Sequence, residues 1–372
     1  MKKLTLLFTA ILMSSPIFAQ GIEEIIVTAN KREQTVQDIP MNISVITSDA
    51  ITERGIYNPE DYLRTLAGVS TPGGDTYYTM RGLNTGTAQV NSGTSNTFMN
   101  EISMGITNIY DIDRIEVLRG PQGTLYGSNA VGGTIRYITK MPMMDEFEAN
   151  IALEYLDKKL ADDSGYSYNA MVNFPLSDTM AMRAVATSGK NPGIYQNVAT
   201  GARDIGNQDD DEYRVMFRYA DGPLDLNLMV MKRERADWGQ KEKGNADKPG
   251  TADIVDPNCT YDAAWYYGDT CTRVYATSGG DLTGYDPELA FYSFTDETDN
   301  SETTTVALTA KYDFDAFTAT LILADYDFEV FGTSDWSRID TDDLFPDPLY
   351  YKNHSERQTQ ELRLTSKGDG AI

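Results

Sequence analysis

From about residue 147 onward the chain alternates apolar and polar residues with a period of two, and nothing else in the sequence constrains its fold as strongly. Tyr166, Tyr168, Ala170, Val172 and Phe174 fall on one face of such a run, with Ser167, Asn169, Met171 and Asn173 on the other. Leu224, Leu226, Leu228 and Val230 oppose Asp225, Asn227, Met229 and Met231 in the same way. Val306, Leu308, Ala310, Tyr312 and Phe314 likewise oppose Thr305, Ala307, Thr309, Lys311 and Asp313. The pattern predicts about eight strands, near 148–156, 166–175, 179–188, 212–220, 223–232, 303–313, 316–327 and 357–366. Their connections alternate as well. Tight turns at Leu176-Ser177-Asp178, Asp221-Gly222-Pro223 and Asp313-Phe314-Asp315 take turns with loops of roughly ten to seventy residues. Short turns on one edge, long loops on the other and apolar residues toward lipid describe a transmembrane β-barrel. A soluble β-sandwich also alternates, but it gives no reason for every second connection to be tight.

The N-terminus fits export. Lys2 and Lys3 precede an apolar run over 4–13, then Ser14, Ser15, Pro16 and a small-residue exit at Ala19, the layout of a secretory signal peptide cleaved after Ala19. That run, ~10 residues, is too short to cross a bilayer as a helix, and no other apolar stretch reaches spanning length, so membrane insertion must use strands. A net charge of −25 argues against a nucleic-acid partner, because phosphate recognition needs a basic face. Cys259 and Cys271, in the exported part, are expected to be bridged, closing a short surface loop worth ~3 kcal/mol. Metal ligation has little support: His354 is the single histidine, no Cys-x-x-Cys occurs, and Asp209-Asp210-Asp211-Glu212 has the composition of a solvated loop. One histidine, in a loop before the last strand, also leaves no Ser/His/Asp set, so the chain is not expected to be an enzyme.

Between residues 22 and about 142 the periodicity is mixed. Residues 42–47 form a strand pattern; Ser48-Asp49 opens a short helix running to Gly55. A second helix starts with Asn58 as N-cap, Pro59 at the first helical position and Glu60 and Asp61 in the first turn, and stops at Gly68. Residues 73–100, rich in Gly, Thr, Ser and Asn, are expected to be loop around one short strand at 79–81. The densest signal follows: Ile115-Glu116-Val117-Leu118-Arg119-Gly120-Pro121-Gln122-Gly123-Thr124-Leu125-Tyr126-Gly127-Ser128-Asn129-Ala130-Val131-Gly132-Gly133-Thr134-Ile135. A phosphate loop would need Lys-Ser/Thr after its last glycine, and a dinucleotide turn a helix directly after it; here the run passes into Gly132-Gly133 and a strand at 135–139.

The Leu-Arg-Gly-Pro-x-Gly-x-x-Tyr-Gly stretch closely resembles the plug domain of TonB-dependent outer-membrane transporters. Glu23-Glu24-Ile25-Ile26-Val27-Thr28-Ala29 is similar to the TonB box, and Asp38-Ile39-Pro40 and Met80-Arg81-Gly82 to other plug landmarks. Thr359-Gln360-Glu361-Leu362-Arg363-Leu364 is similar to a barrel strand of the same family. The resemblance covers the whole chain. It implies an α+β plug domain followed by antiparallel transmembrane β-barrel strands, about eight of an expected 22, with the barrel incomplete. The corresponding division is signal peptide 1–19, TonB box and linker 20–35, plug domain 36–142 and N-terminal part of the barrel 143–372. Such a box, extended and near a free N-terminus, adds as a strand to the sheet edge of its partner TonB. Starting so soon after cleavage, it leaves no room for an extra signalling domain ahead of it.

What the resemblance implies for function is energy-coupled uptake of a scarce ligand across the outer membrane, without a cofactor. Ferric siderophores are the first expectation, with cobalamin, oligosaccharides and aromatic compounds as rivals. It also implies ion pairs between plug and barrel at Arg81, Arg119 and Glu361, and a plug motif made of Gly82, Gly120, Pro121, Gly123, Tyr126, Gly127, Gly132 and Gly133. Tyr77, Tyr78 and Phe98 are the candidate ligand contacts, and the acidic loops disfavour a highly anionic ligand unless basic groups lie elsewhere. Eight strands cannot enclose a plug of ~120 residues. Lys367-Gly368-Asp369-Gly370 is a hairpin turn, and no terminal aromatic follows. The expectation is therefore a truncated or split gene or an incomplete sequence, the alternative being an isolated plug-like periplasmic binding module or a non-functional gene fragment without transport.

Overall fold

The computed structural model describes residues 26–28, 30–32, 34–37, 39, 41–56, 59–73, 77–84, 94–106, 108–127, 130–197, 200–238, 290–291, 296–335, 338–339, 344–345 and 348–367. The expected signal peptide, Glu23, Glu24, Ile25 and Ala29, and the Cys259–Cys271 pair lie outside the described residues.

The N-terminal part holds β1 (Ile26–Val27), β2 (Gln34–Thr35), β3 (Asn42–Thr47), helix α1 (Ser48–Glu53), helix α2 (Pro59–Leu63), β4 (Val69–Gly73), β5 (Tyr77–Met80), β6 (Leu83–Asn84), β7 (Ser95–Met99), β8 (Ile102–Ser103), β9 (Ile112–Arg119), helix α3 (Gly123–Tyr126) and β10 (Gly133–Thr139). Helix α1 is capped one residue earlier than expected, by Thr47, whose Oγ1 accepts from the Ala50 amide at 3.4 Å. Helix α2 ends well before Gly68. The Thr65 and Leu66 amides bond back three residues, to Tyr62 and Leu63, and the Thr65 hydroxyl donates to the Tyr62 carbonyl at 2.7 Å, which tightens the chain out of the α-helical ladder.

The stretch expected to be loop carries more sheet than predicted. Strands β4, β5 and β6 form a three-stranded sheet, and β7 joins a five-stranded sheet of order β3-β9-β10-β7-β8. Its partner there, β10, lies far along the chain and runs parallel to it, a pairing that local composition does not report. Ile115, Val117, Leu118, Ile135 and Tyr137 are buried in this sheet, and the Tyr62 and Tyr137 hydroxyls meet at 2.7 Å beneath it.

The second part is one eight-stranded sheet of β11 (Glu148–Leu156), β12 (Gly165–Ser177), β13 (Met180–Asn191), β15 (Asn207–Asp221), β16 (Leu224–Trp238), β18 (Thr298–Asp313), β19 (Phe317–Asp335) and β22 (Pro348–Ser366), in chain order. Every neighbouring pair is antiparallel. Short accessory strands β14 (Gln196–Asn197) and β17 (Ala290–Phe291) pair with each other, as do β20 (Arg338–Ile339) and β21 (Leu344–Phe345), all among the long connections. All eight predicted strands are present. Several extend beyond their predicted bounds at the long-loop end: the acidic run 209–212 lies inside β15, and His354 lies inside β22, neither being loop.

The sheet is inside out relative to a soluble protein. Asn173, Arg183, Thr187, Glu212, Arg214, Arg233, Thr303 and Thr305 are buried against the plug, while Leu153, Phe174, Phe217, Leu228, Val230, Val306, Leu323, Leu362 and Leu364 are exposed. Such polarity is stable only where the outer solvent is lipid. Aromatic clusters sit at both ends of the apolar band: Tyr166 with Tyr168 at one, and Tyr312, Phe314 and Phe317, with Phe147 and Phe174, at the tight-turn end. Among the described residues no helix is long and apolar enough to cross a membrane.

Candidate functional site

Two pieces of geometry stand out, one where the N-terminal segment is folded into the plug and one where the plug meets the wall. The first begins with β1 and β2, a short antiparallel pair in which Ile26 faces Thr35 and Val27 faces Gln34. Val27 is fully buried among Ile39, Phe98, Leu118, Tyr126 and Ala130, a burial worth about 2 kcal/mol. Beside it the Thr28 amide donates to Glu116 Oε1 at 3.1 Å, and the Thr28 hydroxyl accepts from Arg136 at 2.9 Å. Arg136 pairs with Glu116 at 2.6 Å, and Arg114 holds the same carboxylate at 2.9 Å.

The network continues to the wall through Glu101. That carboxylate pairs with Lys31, with Arg136 at 3.4 Å, and with Arg363 of β22 at 3.3 Å. Lys31 also lies over the Tyr126 ring, 4.4 Å from its centroid. Burial by itself raises the Glu101 carboxyl, but Lys31 and Arg136 outweigh it and hold the group below its usual range. Buried charges persist only when paired, so the segment carrying Val27, Thr28 and Lys31 is latched to plug and barrel together.

On the opposite side a second clamp joins plug to barrel. Arg183 of β13 grips Asp111 with two bonds, at 2.8 and 2.5 Å, and reaches Glu148 at 3.0 Å. Arg214 donates to the Tyr110 carbonyl at 3.1 Å and pairs with Glu212 at 3.2 Å. Asp111 has φ 59°, a left-handed backbone that a non-glycine residue holds only when its surroundings over-determine it.

These pairs differ from those the resemblance implied. Arg119 donates to Asn42 at 3.0 Å, the Arg81 guanidinium packs over Gly120, and Glu361 pairs with Arg363 on its own strand at 2.5 Å; neither plug arginine meets Glu361. In the ion pairs described between the two parts the polarity is reversed: the acids, Asp111 and Glu101, come from the plug and the arginines from the barrel. The signal was legible in the alternation, where Arg183, Arg214, Arg233 and Arg363 all fall on the strand face opposite the apolar one.

The glycine-rich motif is structural in this chain. The Gly120 amide bonds the Gly132 carbonyl at 2.9 Å and the Gln122 amide bonds Ala130, closing the loop that contains Pro121, Gly123, Tyr126 and Gly127. At Gly133 any side chain would strike Met80 Sδ and the Leu118 carbonyl, which is why the second glycine of Gly132-Gly133 is required. Gly82, at φ 76°, turns β5 into β6. Phe98, expected at the ligand, instead packs edge-on against Tyr126 at 5.3 Å under Lys31. The Tyr77 side chain lies outside the described residues.

Tyr78 does face an open space. A cleft of about 380 Å³ lies between plug and wall, lined by Tyr78, Tyr137, Arg233, Arg235, Asp237, Asp299, Tyr326 and Phe328. The wall residues sit near the ends of β16, β18 and β19 that carry the long connections. Burial pushes the Tyr78 hydroxyl up to about 12, so it is a neutral donor at physiological pH, here bonded to Thr97 at 3.1 Å. Outside the barrel, His354 lies 3.0 Å from Asp327 and 3.8 Å from Glu356, all three side chains exposed.

Comparison with known proteins agrees with this architecture. Residues 35–134 match the TonB-dependent receptor plug domain. The iron-regulated outer membrane virulence protein of Vibrio cholerae serotype O1 is 32% identical over 190 residues, covering 46% of this chain and 29% of that protein. The chain carries the plug domain of TonB-dependent receptors. Among solved receptors, it is similar in fold to the ferric yersiniabactin uptake receptor of Yersinia pestis, with a TM-score of 0.65 at 19% identity, covering 89% of this chain and 46% of that one. Against the ferripyoverdine receptor of Pseudomonas aeruginosa the TM-score is 0.66 at 16% identity, with 91% and 41% covered. The chain thus spans less than a third of the V. cholerae relative and less than half of either solved receptor. Its sheet belongs to the outer membrane, as the exposed apolar band requires.

Proposed function

We propose that this chain is the plug and the adjoining wall of a receptor that takes up a ferric siderophore across the outer membrane, driven by TonB, and that it is not an enzyme. The observation that carries the reading is the latch: a segment overlapping the TonB-box-like residues 23–29 is folded into the plug by Val27, Thr28 and Lys31 and tied through Glu101 to Arg363 of the barrel. A pull on residues 23–29 is delivered first to that network, which is the mechanical arrangement an energy-coupled gate needs. The cleft at Tyr78, near the long-loop end of the wall, supplies a place for cargo outside the plug. The division into TonB box and linker 20–35, plug 36–142 and barrel 143–372 follows from the same reading. Named relatives support iron as the cargo, since one is iron-regulated and solved neighbours are receptors for ferric yersiniabactin and ferripyoverdine. The test is accumulation of chelated radioactive iron by iron-starved cells expressing the intact gene or a form lacking residues 23–29. Uptake that requires those residues supports the reading; equal uptake by both overturns it.

A further inference from the structure

The cleft is balanced in charge, and that balance bears on which ferric chelate it accepts. Arg233 and Arg235 line it from β16, and Asp237 and Asp299 from β16 and β18. Asp237 and Asp299 stand directly opposite each other across the antiparallel pair, where like charges repel. Arg235 Nε is shared between both oxygens of Asp237, at 3.1 and 3.0 Å. Arg233 is buried, donates to the Gly105 carbonyl at 3.1 Å, and faces Glu212 directly across β15. Arg357 lies over the Tyr326 ring at 4.8 Å and donates to Ser103 at 3.2 Å. Among the described residues, the lining of the cleft therefore sets two guanidiniums, Arg233 and Arg235, against two carboxylates, Asp237 and Asp299.

The outer surface near the same end carries a row of acids, two of them paired with lysines: Lys232 on Glu234, and Lys352 on Glu329 at 2.6 Å. Asp211, Glu234, Glu302 and Glu329 are paired directly opposite one another on four successive strands, on the outward face. Net of those two lysines the row stays negative, which opposes an anion near this rim.

We infer that the cleft selects a ferric chelate without net charge, of the trihydroxamate kind, over a tris-catecholate chelate. The inference rests on the proposed siderophore reading. Each hydroxamate gives up one proton to bind iron(III), so three leave a neutral complex. Each catecholate gives up two, so three leave a trianion. The trianion meets no surplus cation among the described lining residues and must sit beside Asp237 and Asp299, whereas the neutral complex is indifferent to both and gains the aromatic surface of Tyr78, Tyr326 and Phe328.

The experiment measures binding of ferrichrome, a neutral trihydroxamate, and of ferric enterobactin, a tris-catecholate, to the protein in detergent micelles by quenching of its intrinsic fluorescence. The expected result is ferrichrome bound at least about tenfold more tightly. In the D237N/D299N double variant, enterobactin affinity rises by about tenfold while ferrichrome affinity stays within about twofold. Should the double variant fail to fold, competition between the two chelates on the unmodified protein decides alone. Tighter binding of enterobactin overturns the selectivity and leaves the siderophore reading standing. Binding of neither chelate, with cyanocobalamin bound instead, overturns both.

Discussion

Glu101→Gln is the substitution that most sharply separates a latch from ordinary packing. In the folded chain the Glu101 carboxylate serves Lys31, Arg136 and Arg363, whose side chains are 7%, 1% and 18% exposed. Removing the acid from a buried pair costs about 3–5 kcal/mol because the partner charge is left behind. Arg136 keeps Glu116 at 2.6 Å, and glutamine keeps one acceptor oxygen, so the lower end of that range applies. About 3 kcal/mol is roughly a hundredfold in the equilibrium for opening the β1–β2 hairpin. Amide hydrogen exchange reads this directly. The Thr28 amide, bonded to Glu116, and the Lys31 amide, bonded to the Thr28 carbonyl, should exchange about a hundredfold faster in the variant. Amides of β9 and β10 around Ile115 and Ile135 should not change. Unchanged exchange at Thr28 and Lys31, or an equal acceleration throughout the plug sheet, would refute the reasoning.

Acid should open the same hairpin without mutation: the Glu101 carboxyl is held below its ordinary value of 4.5, so its contribution is full above that value and is lost as pH falls through the lowered one, an effect followed by proteolysis of the N-terminal segment during downward titration from neutral. Asp111→Ala removes both bonds to Arg183 and leaves that buried guanidinium with Glu148 alone; the expected loss is about 3 kcal/mol, read as a lower midpoint for plug release in urea. Gly133→Ala forces a methyl into Met80 and the Leu118 carbonyl, and because the carbonyl cannot yield, trimming Met80 in the same chain should not restore a protease-resistant plug. Leu228→Arg on the exposed face should cost about 2–4 kcal/mol in a bilayer-refolding assay, whereas Met229→Arg should behave differently because Met229 faces the plug.

The barrel wall was legible because its rule is local. Alternation at a period of two assigns every side chain to lipid or lumen as soon as the strand is recognised, so Leu228 and Met229 are sorted by sequence alone. Lumen-facing arginines were visible by the same parity. What the sequence did not carry was their partners. Arg183 finds Asp111 and Arg363 finds Glu101 only after the plug sheet is assembled, and that assembly uses the parallel β7–β10 pairing across a stretch whose Gly, Thr and Ser content suggests loop. Family resemblance named Arg81, Arg119 and Glu361 by motif position, whereas the pairs formed among the described residues follow from which plug loops the eight strands meet. Phe98 was misplaced for a related reason: an aromatic in a polar stretch suggests an exposed contact, yet its strand turns it toward Tyr126 and Val27.

The most direct test of energy coupling through the N-terminal segment is disulfide capture in living cells between a cysteine at Ile26, which is exposed on β1, and a cysteine-bearing TonB. The account predicts an adduct that grows when a bound ferric chelate is supplied and grows further with Glu101→Gln, because the latch then yields. A membrane-resident receptor that forms no such adduct under either condition would contradict it.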